Sequence, residues 1–401
     1  MSHASAILGI RGLEVDSVDR QGDIRVYARP KGRPDCIHCG GSKLKIKATY
    51  RRTLKHTRQG NQLLTLFLKA PKYYCPDCHK YFNHRFQGVR PRFRSTEAFR
   101  LEVFEAHMGG ISQRKLSQTH AWCASPVSPA TVERWYQDFL NQKLSEMSDR
   151  QCPRVLGIDE HFFTRKRGYA TTLVDLKSHK VFDVVPGRSE LSLRRYLKRL
   201  RGRDQVQVIV MDLSETYRSI ARKYFPNAKI VTDRFHVIRL VNQHFLKAWQ
   251  QHDEIGRKNR GLLSLMRRHE WRLSNDQRIN LGQYLTEYPV LELMYQAKQS
   301  LNRLLLLKTT TKKKAKRELP KLLRLLEQLK ESPLRGLANT LTSWLEGIIG
   351  MWRFSKSNGI TEGFHTKMEM MSRRAYGFRN FENYRLRVLT HCGWSGIINR
   401  V

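Results

Sequence analysis

Three acidic side chains are placed where chemistry can be done: Asp159 in VLGIDE, Asp212 in VIVMDLS and Glu362 in NGITEGFH. The first two close apolar, β-branched runs of the kind that form buried strands. The third lies in a stretch that reads as a helix near the C-terminus. The chain otherwise avoids negative charge: 74 Lys and Arg stand against 35 Asp and Glu, a formal net charge of +39. Two strand-end carboxylates and a distant helical Glu can together hold two divalent ions about 3.5–4 Å apart. Mg2+ suits such a set, because it takes oxygen ligands and keeps several waters that a phosphate can replace; Mn2+ accepts the same ligands. The chemistry this predicts is the cutting and rejoining of nucleic acid with two metal ions per site. A lone strand-end Asp is usually a turn residue or a helix cap. For Asp212, followed by LSETY, capping the next helix is the competing reading.

Other acids compete for roles. Glu160 follows Asp159, but strand alternation turns it to the opposite face. Asp175 and Asp183 sit on the next two predicted strands and read as solvated-face residues. Asp233 and His236 belong to the block DRFHV. Asp233 is read either as an accessory metal residue or as a helix N-cap. His365 lies one turn from Glu362 on the same helix face, as a DNA contact or a surface histidine. Trp344 and Trp352 offer stacking surfaces, although aromatics in helices are more often core.

A second chemistry is written in cysteine. Cys36 and Cys39 form CIHC, Cys75 and Cys78 form CPDC, and 35 residues separate the pairs. Each CxxC turn presents two thiolates, and two turns complete a tetrahedral structural Zn2+ site. Such a site has no open position, so it predicts no catalysis. Redox chemistry is the competing reading. Cys123, Cys152 and Cys392 stand alone and read as small core residues.

The elements that must position these residues follow from periodicity. Residues 1–90 are β-rich, with LGIRGLEVDSV and GDIRVYARP as a hairpin and a strand in NQLLTLFLKAPKYY. Residues 91–150 read as helices: one capped by Ser95 or Thr96, a short one over ISQRKLSQTHAW, and one with Ser128 as N-cap and Pro129 at its first position. That order is the helix-turn-helix pattern, with plain helical packing as its alternative. Thr131, Glu133, Arg134 and Tyr136 are expected to face outward from the third helix. Gln113, Arg114 and Lys115 are expected on phosphates. From 151 to 240 the order β-β-β-α-β-α-β predicts an α/β mixed sheet whose first and fourth strands are central neighbours. Residues 241–350, with Leu runs and the block KKKAKRE, read as an all-α insertion, and 351–401 as helical.

The basic excess points to a polyanion, and nucleic acid is the usual one. No apolar run of about 18 residues and no secretory segment is visible. A bacterial, cytoplasmic and nucleoid-associated protein with no membrane partner is therefore expected.

The blocks GIDE, VMDLSETY, DRFHV, NGITEGFH and RRAYGFRNFENYRLRV, in this order behind the cysteine pairs, resemble the DDE transposases of the bacterial insertion-sequence family called ISL-three. The resemblance covers nearly the whole length. It implies a multidomain α/β plus α chain: zinc ribbon, helix-turn-helix, and a ribonuclease-H-like core interrupted by the all-α insertion. It implies a catalytic triad at Asp159, Asp212 and Glu362. It further implies a DNA transposase that binds terminal inverted repeats and performs cleavage and strand transfer on double-stranded transposon ends and target DNA. Since two ends must be held together, a homodimer on DNA is expected. Similar enzymes often carry a basic residue seven positions after the catalytic Glu. Here Glu369 stands there, leaving Lys367, Arg373 and Arg374 as the phosphate contacts. The alternative function is a sequence-specific DNA-binding regulator without chemistry.

Overall fold

The computed structural model describes residues 8–60, 62–119, 127–146, 150–166, 168–354 and 359–393. Cys123 lies outside them. The chain divides into two compact units, one ending at Ser148 and one spanning Asp149–Ser395. No helix among the described residues is long and apolar enough to cross a membrane.

The first unit starts with five strands: β1 (Leu13–Asp19), β2 (Ile24–Pro30), β3 (Lys45–Gln59), β4 (Gln62–Tyr74) and β5 (Tyr81–Asn83). The sheet order is β1-β2-β4-β3, with β5 on β4. The expected β1–β2 hairpin is present. Leu54, Leu64, Leu66 and Leu68 fill the sheet's buried face, where alternation along β4 points every second side chain inward. Three helices follow: α1 (Glu97–Met108), α2 (Gln113–Thr119) and α3 (Pro129–Glu146). Thr96 caps α1 by accepting from the Phe99 amide. Ser128 caps α3, its Oγ accepting from Thr131 N at 3.2 Å. Phe99, Val103, Leu116, Val132 and Trp135 form their core. Arg100 is fully buried among them, bonded to Glu97 and Asp138 at 3.0 and 2.9 Å.

Two outward-facing expectations for α3 need correction. Tyr136 is buried, stacked on Phe104 with ring centroids 5.5 Å apart. It follows Trp135 onto the apolar stripe that holds α3 against α1. Glu133 is half-buried and tied to Gln113 and Gln137.

The second unit holds β6 (Val155–Thr164), β7 (Gly168–Asp175), β8 (Lys180–Pro186), α4 (Glu190–Arg199), β9 (Val208–Met211), α5 (Glu215–Tyr224), β10 (Lys229–Thr232) and α6 (Arg234–His252). The sheet order is β10-β9-β6-β7-β8. β6, β7 and β8 are antiparallel neighbours, whereas β6, β9 and β10 run parallel. All four residues of β9 are buried, as a strand covered on both faces requires. Ser189 opens α4 with a reciprocal capping box, worth about 1 kcal/mol.

From α6 the chain is helical: α7 (Glu254–Lys258), α8 (Arg260–Arg267), α9 (Asn275–Glu287), α10 (Pro289–Leu306), α11 (Lys312–Gln328), α12 (Ser332–Ser343) and α13 (Leu345–Gly350). Then come α14 (Gly359–Arg374) and α15 (Phe381–Cys392). Leu291, Leu301, Leu323 and Leu337 of these helices share one apolar cluster with Leu156, Ile158 and Val210 of the sheet. Trp344 lies in that core and donates to Glu215 at 3.0 Å, and Trp352 packs against it. Cys152 and Cys392 are buried as small core residues.

Asp183 also departs from expectation. It is buried, and Arg385 of α15 holds both its oxygens at 2.6 and 2.9 Å. Edge strand β8 reads as half-solvated in isolation, but α15 covers it. Asp175 does sit at a turn, accepting from Lys177 N at 2.9 Å.

Candidate active site and zinc cluster

Strand register sets out the acids. Gly157 of β6 pairs with Val210 of the parallel β9. Two residues on from this pair lie Asp159, within β6, and Asp212, one residue past the end of β9. On the other flank Thr232 pairs with Met211, and Asp233 N donates to Met211 O at 2.7 Å. Asp233 therefore continues the row. Asp212 and Asp233 directly follow the last residues of β9 and β10, whereas Asp159 lies in the middle of β6.

Burial and crowding shape their charge. Asp159 is 8% exposed. Its carboxyl is pushed up to about 7, first by burial and then, against a hydrogen bond from Glu160 N, by Asp212, Asp233 and Glu160. Asp212 is also raised, mainly by burial; His236 opposes this and the Glu160 and Asp233 carboxylates add to it. Asp233 caps α6, accepting from Phe235 N, and its Oδ2 lies 3.8 Å from His236 Nε2. The cap and the accessory place are thus compatible. Glu160 turns away to Arg188 at 3.1 Å.

α14 brings the third acid. Thr361 and Phe364 are buried on its inner face, and Glu362 lies exposed in its first turn. One turn on, His365 Nε2 lies 3.1 Å from Thr172 Oγ1. Thr172 is the cross-strand partner of Asp159, so the two share a sheet face. Thr172 Oγ1 is also 2.9 Å from His161 Nδ1, and the Tyr384 hydroxyl is 2.8 Å from His161 Nε2. Two proton orders satisfy this chain; in one, Tyr384 donates to His161, His161 to Thr172, and Thr172 to His365. Burial, then His365, pushes His161 down to about 3; burial, then His236, pushes His365 down to about 4. Both rings are neutral near pH 7, as this order requires. His161, Thr172 and Tyr384 escaped the sequence reading. His161 had a signal, since it sits two residues after Asp159 on the same strand face.

The carboxylate set suits divalent cations. Asp212 Oδ1 is buried with no hydrogen-bond partner. A buried charged acceptor left in that state is costly, and a cation would satisfy it. Asp159, Asp212 and Glu362 do not form a group with all ligand atoms within 4.8 Å of one another. A two-ion site does not demand that. Ions about 4 Å apart with oxygens at about 2.1 Å place outer ligands up to roughly 8 Å from each other.

The thiols do meet that mark. Among the described residues, Cys36, Cys39, Cys75 and Cys78 are the group whose ligand atoms all lie within 4.8 Å. Sulfurs of Cys36 and Cys78, and of Cys39 and Cys75, are 3.6 Å apart. Both turns end in left-handed backbone, at Gly40 (φ 77°) and His79 (φ 56°). The set fits a structural zinc ion.

Of the residues expected to contact DNA in the first unit, Arg114, Lys115 and Arg134 are exposed and Thr131 is half-buried. The connection between α2 and α3 lies largely outside the described residues. On α14, Arg373 is held by Glu369 at 2.6 Å, and Lys367 Nζ lies 5.8 Å from the Phe364 ring. Arg374 is exposed.

Comparison with known proteins places the chain in a family. Residues 156–388 match a family model described as transposase, and residues 32–78 match the zinc finger of the transposases of IS204, IS1001, IS1096 and IS1165. A curated relative, the transposase for insertion sequence element IS1001 from Bordetella parapertussis, is 26% identical over 244 residues. That alignment covers 58% of this chain and 59% of the relative, so the chain spans under two thirds of the relative's length. The chain belongs to the ISL3 family of transposases.

Proposed function

We propose that this chain is a DDE transposase that binds the terminal inverted repeats of an insertion sequence and catalyses metal-dependent strand cleavage and strand transfer. The observation that carries this reading is the placement of Asp159 within β6 and Asp212 just past β9, each two residues beyond the Gly157–Val210 pair, with the helix bearing Glu362 packed on β6. The sheet order, three antiparallel strands flanked by two parallel ones, supports a ribonuclease-H-like core. Asp159, Asp212 and Glu362 would hold two Mg2+ or Mn2+ ions. Bound there, a divalent pair activates water and stabilises the leaving 3′ oxygen.

The protein's own part is placement. Pairing of β6 with β7 fixes Asp159, and the end of β9 fixes Asp212, before DNA arrives. The chain through Tyr384, His161 and Thr172 anchors His365, and so the turn of α14 that carries Glu362. Asp233 and His236 flank Asp212 and adjust its charge. The released 3′ hydroxyl then replaces water as nucleophile against target DNA, with no covalent link to protein. Cation side chains hold phosphates: Arg114 and Lys115 on α2, Lys367, Arg373 and Arg374 on α14. Thr131 and Arg134 of α3 read bases as part of a helix-turn-helix. A homodimer joins the two ends.

The experiment is a nicking assay on the inverted repeats with Mg2+. Asp159→Ala is expected to lose cleavage and retain repeat binding in a gel shift. Nicking by that variant at the wild-type rate would remove Asp159 from the site. Binding without cleavage by the wild-type protein would leave a DNA-binding regulator.

A further inference from the structure

α6 starts at the carboxylate row and runs away from it. Asp233 is its N-cap. Two residues on, Phe235 is 48% exposed, an apolar ring left open beside a row of acids. The same side of α6 lines a groove of about 710 Å³. Arg239 and Lys247 stand along it, and Arg257 of α7 and Arg267 of α8 complete its wall; no acidic residue lines it. Among the described residues, none of the four has a carboxylate partner. On the groove, Asn242 keeps its Oδ1 buried without a hydrogen bond.

These features fit one kind of ligand. Unpaired cations in a walled groove attract phosphates, and an exposed ring stacks on any base. The groove also has the length for a strand. Lys247 lies fourteen residues beyond Asp233, about 21 Å at 1.5 Å per residue. At about 3.4 Å of axial rise per nucleotide of a stacked strand, this spans roughly six nucleotides. Stacking on Phe235 needs an open base face, which a paired duplex does not offer.

We propose that this groove carries a single DNA strand up to the carboxylate row, with Phe235 stacked on a base beside the scissile phosphate and Arg239, Lys247, Arg257 and Arg267 on the phosphates behind it. The proposal rests on the transposase reading of the row. Its test is independent of cleavage.

The full-length protein is bound, without divalent metal, to a duplex carrying a single-stranded thymidine tail with 5-iodouracil at the junction. Ultraviolet crosslinking is followed by peptide mapping. The adduct is expected on Phe235 and is lost in Phe235→Ala. Arg239→Ala with Lys247→Ala is expected to lower the salt slope of tail binding by about 1.4, at about 0.7 per lost single-strand phosphate contact. The slope for the untailed duplex stays the same. Circular dichroism confirms that the variants are folded. Adducts mapping outside α6, or equal losses on tailed and untailed duplex, would overturn the groove. A crosslink at Phe235 stands whether or not Asp159→Ala still nicks, so the two readings fail separately.

Discussion

Burial first, and neighbouring carboxylates after it, raise the carboxyls of Asp159 and Asp212, so positive charge joining them would offset the cost of their ionisation. A divalent ion should therefore bind there and stabilise the fold. Saturating Mg2+ or Mn2+, at about 100 times its dissociation constant, adds about 2.7 kcal/mol. The expected result is a rise in the melting temperature of the wild-type chain that is absent in Asp212→Asn; an equal rise in both would place the ion elsewhere. Asp183 makes the opposite case, since its charge already has a partner. Replacing Arg385 by Ala leaves a buried carboxylate without its ion-pair partner and is expected to cost about 3 kcal/mol in urea unfolding, with Arg385→Lys recovering part. The burial of Asp159 and Asp212 near one another was legible because an acid ending a β-branched run is conspicuous. Asp183 was not, because its partner lies on a helix 202 residues away. Tyr136 was misplaced for a similar reason: periodicity gives a stripe, but only packing against Phe104 says how wide it is.

Among the elements, helix ends were the best read. Ser128, Ser189 and Thr96 act as caps because a short hydroxyl beside a helix start has one satisfying partner, the free amide. β3 was hidden: KIKATYRRTLKHTRQ keeps Lys and Arg on its outer face and offers weak alternation, and only pairing with β4 makes it a strand. The zinc turns were legible from spacing alone. One zinc per chain is expected by elemental analysis, lost in Cys75→Ser. Its removal should melt the β1–β5 sheet while leaving the unfolding of the second unit in place. Within the helical segment, Lys298 of α10 is buried and donates to the carbonyls of Met266 and Arg267 at the end of α8. Burial, then Arg267, pushes its amine down to about 7. An unfolded lysine titrates near 10.4, so between these values the unfolded chain binds the extra proton. The stabilisation is complete above the unfolded value and is lost as pH falls toward 7. Urea midpoints of the second unit should rise between pH 7 and 9.5, by about 2–3 kcal/mol in stability. The increment should be missing in Lys298→Met; a parallel rise in that variant would assign it to another group.

At the scale of the whole molecule, strand order was readable in sequence because each strand ends at a distinct signal. The β6–β9 adjacency followed from the order of the elements. What the sequence left open was how the helical segment joins the sheet. Its leucines merge into the sheet's own core, so the segment is part of the second unit's stability. The charge of +39 is a property of the whole chain and predicts steep salt dependence of DNA affinity. The most direct test of the central claim is anomalous diffraction from crystals of the full chain with an inverted-repeat duplex and Mn2+. Two manganese peaks about 4 Å apart, with Asp159 touching both and Asp212 and Glu362 each touching one, is the predicted result. Manganese held away from β6 and the end of β9, or Glu362 outside coordination distance with the cleavage site engaged, would contradict it.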